Sequence, residues 1–253
     1  MHGSTCIMPF LVMMMAMIGS AQQTQPAEQY DRDVAVRIRA LSERLRFTGD
    51  EPDLARRYAE LNEVTDRLRG EVDGYIQAAV NATEGSQRIQ ARLRTLLAEH
   101  TPNPEYGDLP FARVADLRAA RSLIVAYTIV RGPHHDSATI RGYRSDLDRF
   151  ELVATTGDDF DGYNMFKTEL ASPLRGEFWL LAWGQASTFN GKKVRLRVYA
   201  FDGQSFRTVW EPEDMFNATL RITKSGFAID HEVRPDEIHD EYLLTPDGPI
   251  KIN

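Results

Sequence analysis

Residues 194–206 read VRLRVYAFDGQSF, and the fold follows from them. Along an extended chain, Val194, Leu196, Val198 and Ala200 fall on one side, while Arg195, Arg197, Tyr199 and Phe201 fall on the other. Asp202-Gly203 supplies a tight turn, so the stretch predicts a β-hairpin returning through SFRTVW. Residues 138–150, ATIRGYRSDLDRF, carry the same pattern Arg-x-Tyr-x-x-Asp-x-x-x-Phe, now at Arg141, Tyr143, Asp146 and Phe150. A shift of 56 residues aligns 124–170 with 180–226 without a gap. It adds the matches Ala126/Ala182, Val153/Val209, Asp158/Asp214 and Phe160/Phe216. It also lays the apolar run Ile124-Val125-Ala126-Tyr127 on Leu180-Leu181-Ala182-Trp183. Eight identities in 47 columns exceed the roughly three that ordinary composition gives by chance. Each copy reads as a buried strand, an alternating strand, a hairpin with its return strand, and a fourth strand.

A period of four strands per unit is the pattern of blade architecture, and RVYAFDGQSF is similar to the hairpin of propeller repeats. Two units plus Phe227–Asn253 fall short of the roughly four blades that close a ring. Residues 111–253 are therefore expected to form an antiparallel all-β domain, either a partial propeller or a sandwich of two meanders, capped by helices.

The preceding segment has a helical period. Val34, Ile38, Leu41 and Leu45 step by 4, 3 and 4, and Gly49 ends that helix. Asp50 with Pro52 is expected to start the next one. Leu54, Tyr58, Leu61, Thr65, Leu68, Val72, Tyr75 and Ala79 then form a coiled-coil-like seam, with Gly70 and Gly74 as points of bending or fraying. A third helix carries Ile89, Leu93, Leu96 and Leu97 on one side. Residues 22–100 thus predict an antiparallel helical hairpin or three-helix segment, and the whole chain is α+β. Residues 101–110, TPNPEYGDLP, read as a linker, because three prolines and a glycine cannot continue a helix.

Residues 1–21 stand apart. Ile7–Ile18 is an unbroken apolar run, too short to cross a bilayer as a helix, and Gly19-Ser20-Ala21 offers a small-x-small cleavage site. The chain is expected to be secreted or periplasmic, with no stable membrane span after cleavage. Cys6 is the sole cysteine, so the mature chain would carry none, and disulfide, zinc-thiolate and cysteine-nucleophile chemistries drop out. A net charge of −7, with arginines interleaved among acids, argues against a nucleic-acid partner.

Three groups of residues could carry chemistry. His134, His135 and Asp136 follow Gly132-Pro133, and imidazole with carboxylate suits a transition metal. Adjacent residues on extended chain point apart, so His231 or His239 would be needed to complete the ligands. Asp158, Asp159 and Asp161 sit in a glycine-bounded loop, but only Asp159-x-Asp161-Gly162 fits the calcium pattern, and a turn-capping role for Asp158/Asp214 explains the loop as well. Arg195, Arg197, Tyr199 and Phe201 are candidates for a binding surface, whereas Trp179 and Trp183 read as core. The tail Asp230–Tyr242, DHEVRPDEIHDEY, gathers acids and two histidines. No catalytic or phosphate-binding spacing occurs, and no cofactor is indicated. The expectation is a non-catalytic binding protein acting on a protein or cell-envelope component, with any oligomer built through the helices or the β-repeat. The rival expectation is a metal-dependent or carboxylate-based hydrolase using the His134-His135-Asp136 loop and nearby acids.

Overall fold

The computed structural model of the chain describes residues 27–48, 53–98, 100, 109–118, 120–131, 136–163, 165–174, 176–189, 191–233 and 236–253. Among the described residues three helices come first: α1 Ala27–Thr48, α2 Leu54–Ala79 and α3 Ser86–Leu96. Val34, Ile38, Leu41 and Leu45 are all buried, as their spacing requires. In α2 the seam is buried at Leu61, Thr65, Leu68, Val72 and Tyr75, but Leu54 and Tyr58 at its start are exposed. The N-cap is Asp53 rather than the expected Asp50 with Pro52. Its carboxylate accepts the Arg56 amide at 3.1 Å and so satisfies one of the free amides of the first turn. The helix runs unbroken through Gly70 and Gly74.

Twelve strands follow among the described residues, all paired antiparallel: β1 Phe111–Leu117, β2 Ala120–Ile129, β3 Ser137–Asp146, β4 Arg149–Thr155, β5 Met165–Leu174, β6 Glu177–Thr188, β7 Gly191–Phe201, β8 Phe206–Trp210, β9 Met215–Ile222, β10 Gly226–Val233, β11 Asp236–Thr245 and β12 Gly248–Lys251. The first four form one sheet in sequence order. The other eight share hydrogen bonds in the order β12-β11-β10-β9-β7-β6-β5, with β8 also on β7. They join because β7 divides one edge between two partners, pairing Val198–Phe201 with β8 and Lys193–Val194 with β9.

The repeated hairpin keeps its geometry. The β3–β4 ladder passes from Gly142↔Ala154 to Tyr143↔Leu152, skipping Val153. The β7–β8 ladder passes from Val198↔Trp210 to Tyr199↔Thr208, skipping Val209, the residue matched to Val153. Both turns place a left-handed residue at the same point, Leu147 at φ 55° and Gly203 at φ 89°.

Two features of the expected repeat need correction. First, β3 meets β2 at Val125↔Arg141, whereas β7 meets β6 at Ala182↔Arg197, one residue further along. The two apolar runs are therefore offset by one, and a one-residue slip exchanges the faces of a strand. The connections differ accordingly, since residues 130–136 join β2 to β3 while only 189–190 join β6 to β7. Second, β1 lies on β2 as β5 lies on β6, with Phe111↔Ala126 matched by Lys167↔Trp183. The unit therefore begins one strand earlier than the alignment suggests. The remainder after Phe227 is no fragment: β9–β12 is a third meander. In all three units an apolar residue pairs with a tyrosine, as Leu123↔Tyr143, Leu180↔Tyr199 and Phe227↔Tyr242.

Among the described residues, three apolar clusters hold these layers together. Leu123, Val125, Tyr127, Tyr143 and Phe150 share one core with all three helices. The helical segment is thus a layer on the first meander and not a core of its own. Ile124, Ala126 and Ile140 pack with Phe178, Leu180, Tyr199 and Phe201 between the first and second meanders. Trp179, Leu181, Leu196 and Val198 pack with Ala218, Phe227 and Ile229 between the second and third. At Gly142 a Cβ would stand 2.5 Å from the Phe201 ring, so a side chain there would force the sheets apart. No helix among the described residues is long and apolar enough to cross a membrane.

Candidate functional site

The polar residues singled out by the sequence are mostly engaged in the scaffold. Asp161 accepts a hydrogen bond from the Ser137 hydroxyl at 2.6 Å and pairs with Arg131 at 3.1 Å. Asp158 pairs at 2.8 Å with Arg69, which reaches over from α2. Asp159 accepts from the Tyr199 hydroxyl at 2.5 Å, and its backbone carbonyl accepts from Arg195 at 2.6 Å. Asp161 also lies 3.9 Å from Arg69, so the loop's carboxylates are held by guanidinium and hydroxyl donors rather than converging on a shared space, which is the reverse of a calcium cage. Among the described residues, no group of three or more His, Cys, Asp or Glu is arranged to hold a metal ion.

Asp136 is buried, and its carbonyl accepts the Gly162 amide at 2.9 Å, tying the start of β3 to the acidic loop. Burial pushes its carboxyl up to about 7, against the pull of the Arg131 amide and guanidinium. His134 and His135 lie outside the described residues. Of the two tail histidines, His239 is exposed and meets Asp230 at 2.5 Å. His231 sits one register step away on the other face, 3.4 Å from Asp240.

The expected binding surface on β7 is covered. Tyr199 is 2 % exposed and Phe201 is fully buried, because the first meander packs on that side of the strand. Phe201 stacks on Phe206 with ring centroids 4.7 Å apart. Arg197 is buried and pairs with Glu211 at 2.7 Å. Arg195 grips Asp214 through two nitrogens, each at 3.0 Å, and lies over the Tyr163 ring at 4.5 Å. These four residues join sheets and connections; the alternating pattern marked burial between layers, and burial looks the same in sequence as a one-sided surface.

The concave feature lies instead where β9 leaves β7. A cavity of about 630 Å³ is lined by the β8–β9 connection and the start of β9 (Pro212, Glu213, Asp214, Met215, Phe216) and by β10 and β11 (His231, Glu232, Val233, Asp240, Tyr242). Asp240 is buried, and Lys251 reaches it at 2.7 Å while the Tyr242 hydroxyl donates at 3.3 Å. Burial opposes its ionisation, yet Lys251 and His231 hold its carboxyl below the ordinary value. Asp214 is likewise kept well below its ordinary value: burial opposes ionisation, but Arg195, Lys193 and Tyr163 outweigh it. Glu232 accepts from the Asn217 amide, and Glu213 is exposed at the rim.

Five of these positions, His231, Glu232, Val233, Asp240 and Tyr242, fall in the tail that the sequence marks as unusual. Glu213, Met215 and Phe216 were missed, since EPEDMF reads only as a polar turn entering a strand. A period-two reading of the tail, which separates His231 and Asp240 from Asp230 and His239, was the available signal. No protein-family model, curated protein or solved structure matches the chain.

Proposed function

We propose that the chain is a non-catalytic binding protein working outside the cytoplasm, on a protein or cell-envelope component, and that its three meanders are blade-like units of a partial propeller. The observation carrying this reading is the repeated use of the carboxylates. The tyrosine at one register position of each unit donates to an aspartate: Tyr143 to Asp73 at 2.6 Å, Tyr199 to Asp159 at 2.5 Å and Tyr242 to Asp240 at 3.3 Å. Acids that could have served as acid, base or metal ligand are tied into the scaffold, Asp73 and Asp159 between elements and Asp240 within β11, as expected of a scaffold that presents a surface. Stacked meanders with a helical layer on the first leave the last one as the open end, where the cavity lies.

The test uses the full chain, immobilised and challenged with an envelope extract under crosslinking. A saturable, reproducible partner supports the reading. Stoichiometric metal that disappears in His134→Ala with His135→Ala, accompanied by hydrolysis of an ester, amide or glycoside substrate, overturns it in favour of the hydrolase. N-terminal sequencing of exported material tests the location; a chain retained inside and beginning at Met1 counts against it.

A further inference from the structure

The described lining of the cavity between the second and third meanders is dominated by carboxylates. Glu213, Asp214, Glu232 and Asp240 contribute carboxylates, and among the described residues no lysine or arginine lines it. The cations that balance Asp214 and Asp240, namely Lys193, Arg195 and Lys251, approach from outside the lining. They orient these carboxylates without filling the space. The His231 imidazole, 3.4 Å from Asp240, is the other polar group of the described wall, and the rest is apolar: Pro212, Met215, Phe216, Val233 and the Tyr242 ring. Phe216 and Val233 are 38 % and 51 % exposed. The volume falls within the range of small-ligand pockets, roughly 300–1,000 Å³.

Resting on the binding-protein reading, we propose that this cavity takes an organic cation, an ammonium or guanidinium group on a short apolar stem such as a basic peptide side chain presents. The cationic head is drawn by Glu213 and Glu232, and the stem lies along Met215, Phe216 and Val233. An anion meets four carboxylates, with no lysine or arginine among the described lining residues to offset them. A metal ion lacks a three-ligand group among the described residues. An open aromatic ring adds attraction for a cationic head over a neutral one.

Butylguanidinium and its neutral near-isostere butylurea separate charge from shape, with pentanoate as the anionic probe. Binding to the full chain is followed by calorimetry and by tryptophan fluorescence, to which Trp210, its ring 4.9 Å from that of Tyr242, contributes. The expected result is butylguanidinium binding at least ~10-fold tighter than butylurea, weakening as salt screens the carboxylates, with pentanoate silent. Glu213→Gln with Glu232→Gln is expected to lower the affinity by about tenfold, while Glu151→Gln on β4 leaves it unchanged. Equal binding of butylurea, or no butylguanidinium binding up to about 10 mM, overturns the proposal without recourse to any variant. An envelope partner captured equally well by the double variant Glu213→Gln with Glu232→Gln overturns the cation site while the binding-protein reading stands.

Discussion

At Tyr143 the phenol hydroxyl reaches 2.6 Å across the helix–sheet boundary to Asp73, which Arg141 also approaches at 3.6 Å. Burial raises the Asp73 carboxyl above its ordinary value, and the Tyr143 hydroxyl and the Arg141 and Arg69 charges only partly offset that. Tyr143→Phe leaves a buried acceptor short of a donor, a loss of about 1–3 kcal/mol in urea unfolding. Tyr242→Phe removes a longer, 3.3 Å bond at a less buried site and should cost less than Tyr143→Phe. Asp136 makes a prediction of opposite character. Its native carboxyl titrates near 7 and its unfolded one near 3.8, so between these values the native state keeps a proton that the unfolded state has lost. Raising the pH from about 4 to 7 therefore favours unfolding at this residue. Asp136→Asn keeps an acceptor for the Arg131 amide and removes the titration. The variant should gain on the parent as pH rises through that window, and equilibrium unfolding at a series of pH values checks it. Asp214 works the other way, because its depressed carboxyl contributes stability above its ordinary value that is lost in acid.

At the scale of elements, the two equivalent turns solve one problem with different residues. Leu147 holds φ 55° with its side chain 94 % exposed, so it gains no packing in return for the left-handed strain. Gly203 holds φ 89° with nothing to strain. Leu147→Gly is expected to stabilise the chain by about 1 kcal/mol and Gly203→Leu to destabilise it by at least as much, read as shifts in the urea midpoint. The hairpins were readable in advance because a turn, an alternation and a repeated motif all lie within a dozen residues. Helix periods were readable for the same reason. The phase of the unit was not, because β1 and β5 share no conspicuous residues and only the ladder registers equate them. Nor was the third unit: Thr245-Pro246-Asp247-Gly248 turns where Asp202-Gly203 does, but without the Arg-x-Tyr-x-x-Asp motif. The cavity was the least accessible to sequence, since its two walls come from β8–β9 and β10–β11, whose approach depends on how β9 crosses from β7 to β10.

For the whole molecule, the decisive fact is that no layer owns its core. The helices bury Leu68, Val72 and Ile76 against Leu123, Val125 and Tyr127 of the first meander, whose other face is buried by the second. A sheet stripped of one cover exposes a continuous apolar face, and at about 25 cal/mol per Å² that exposure outweighs the few kcal/mol by which a domain is stable. The helices and the far sheets should therefore unfold together. Two probes separate them: helix ellipticity reports α1–α3, whereas fluorescence reports Trp179, Trp183 and Trp210, all on the second meander and packed toward the third. Coincident urea transitions at the two signals are the expected outcome. An early loss of ellipticity with the tryptophan signal intact would mean that the helical layer is a separable domain. In that case Tyr143→Phe, which acts at the helix–sheet boundary, should shift only the first transition; in a single cooperative unit it shifts both equally.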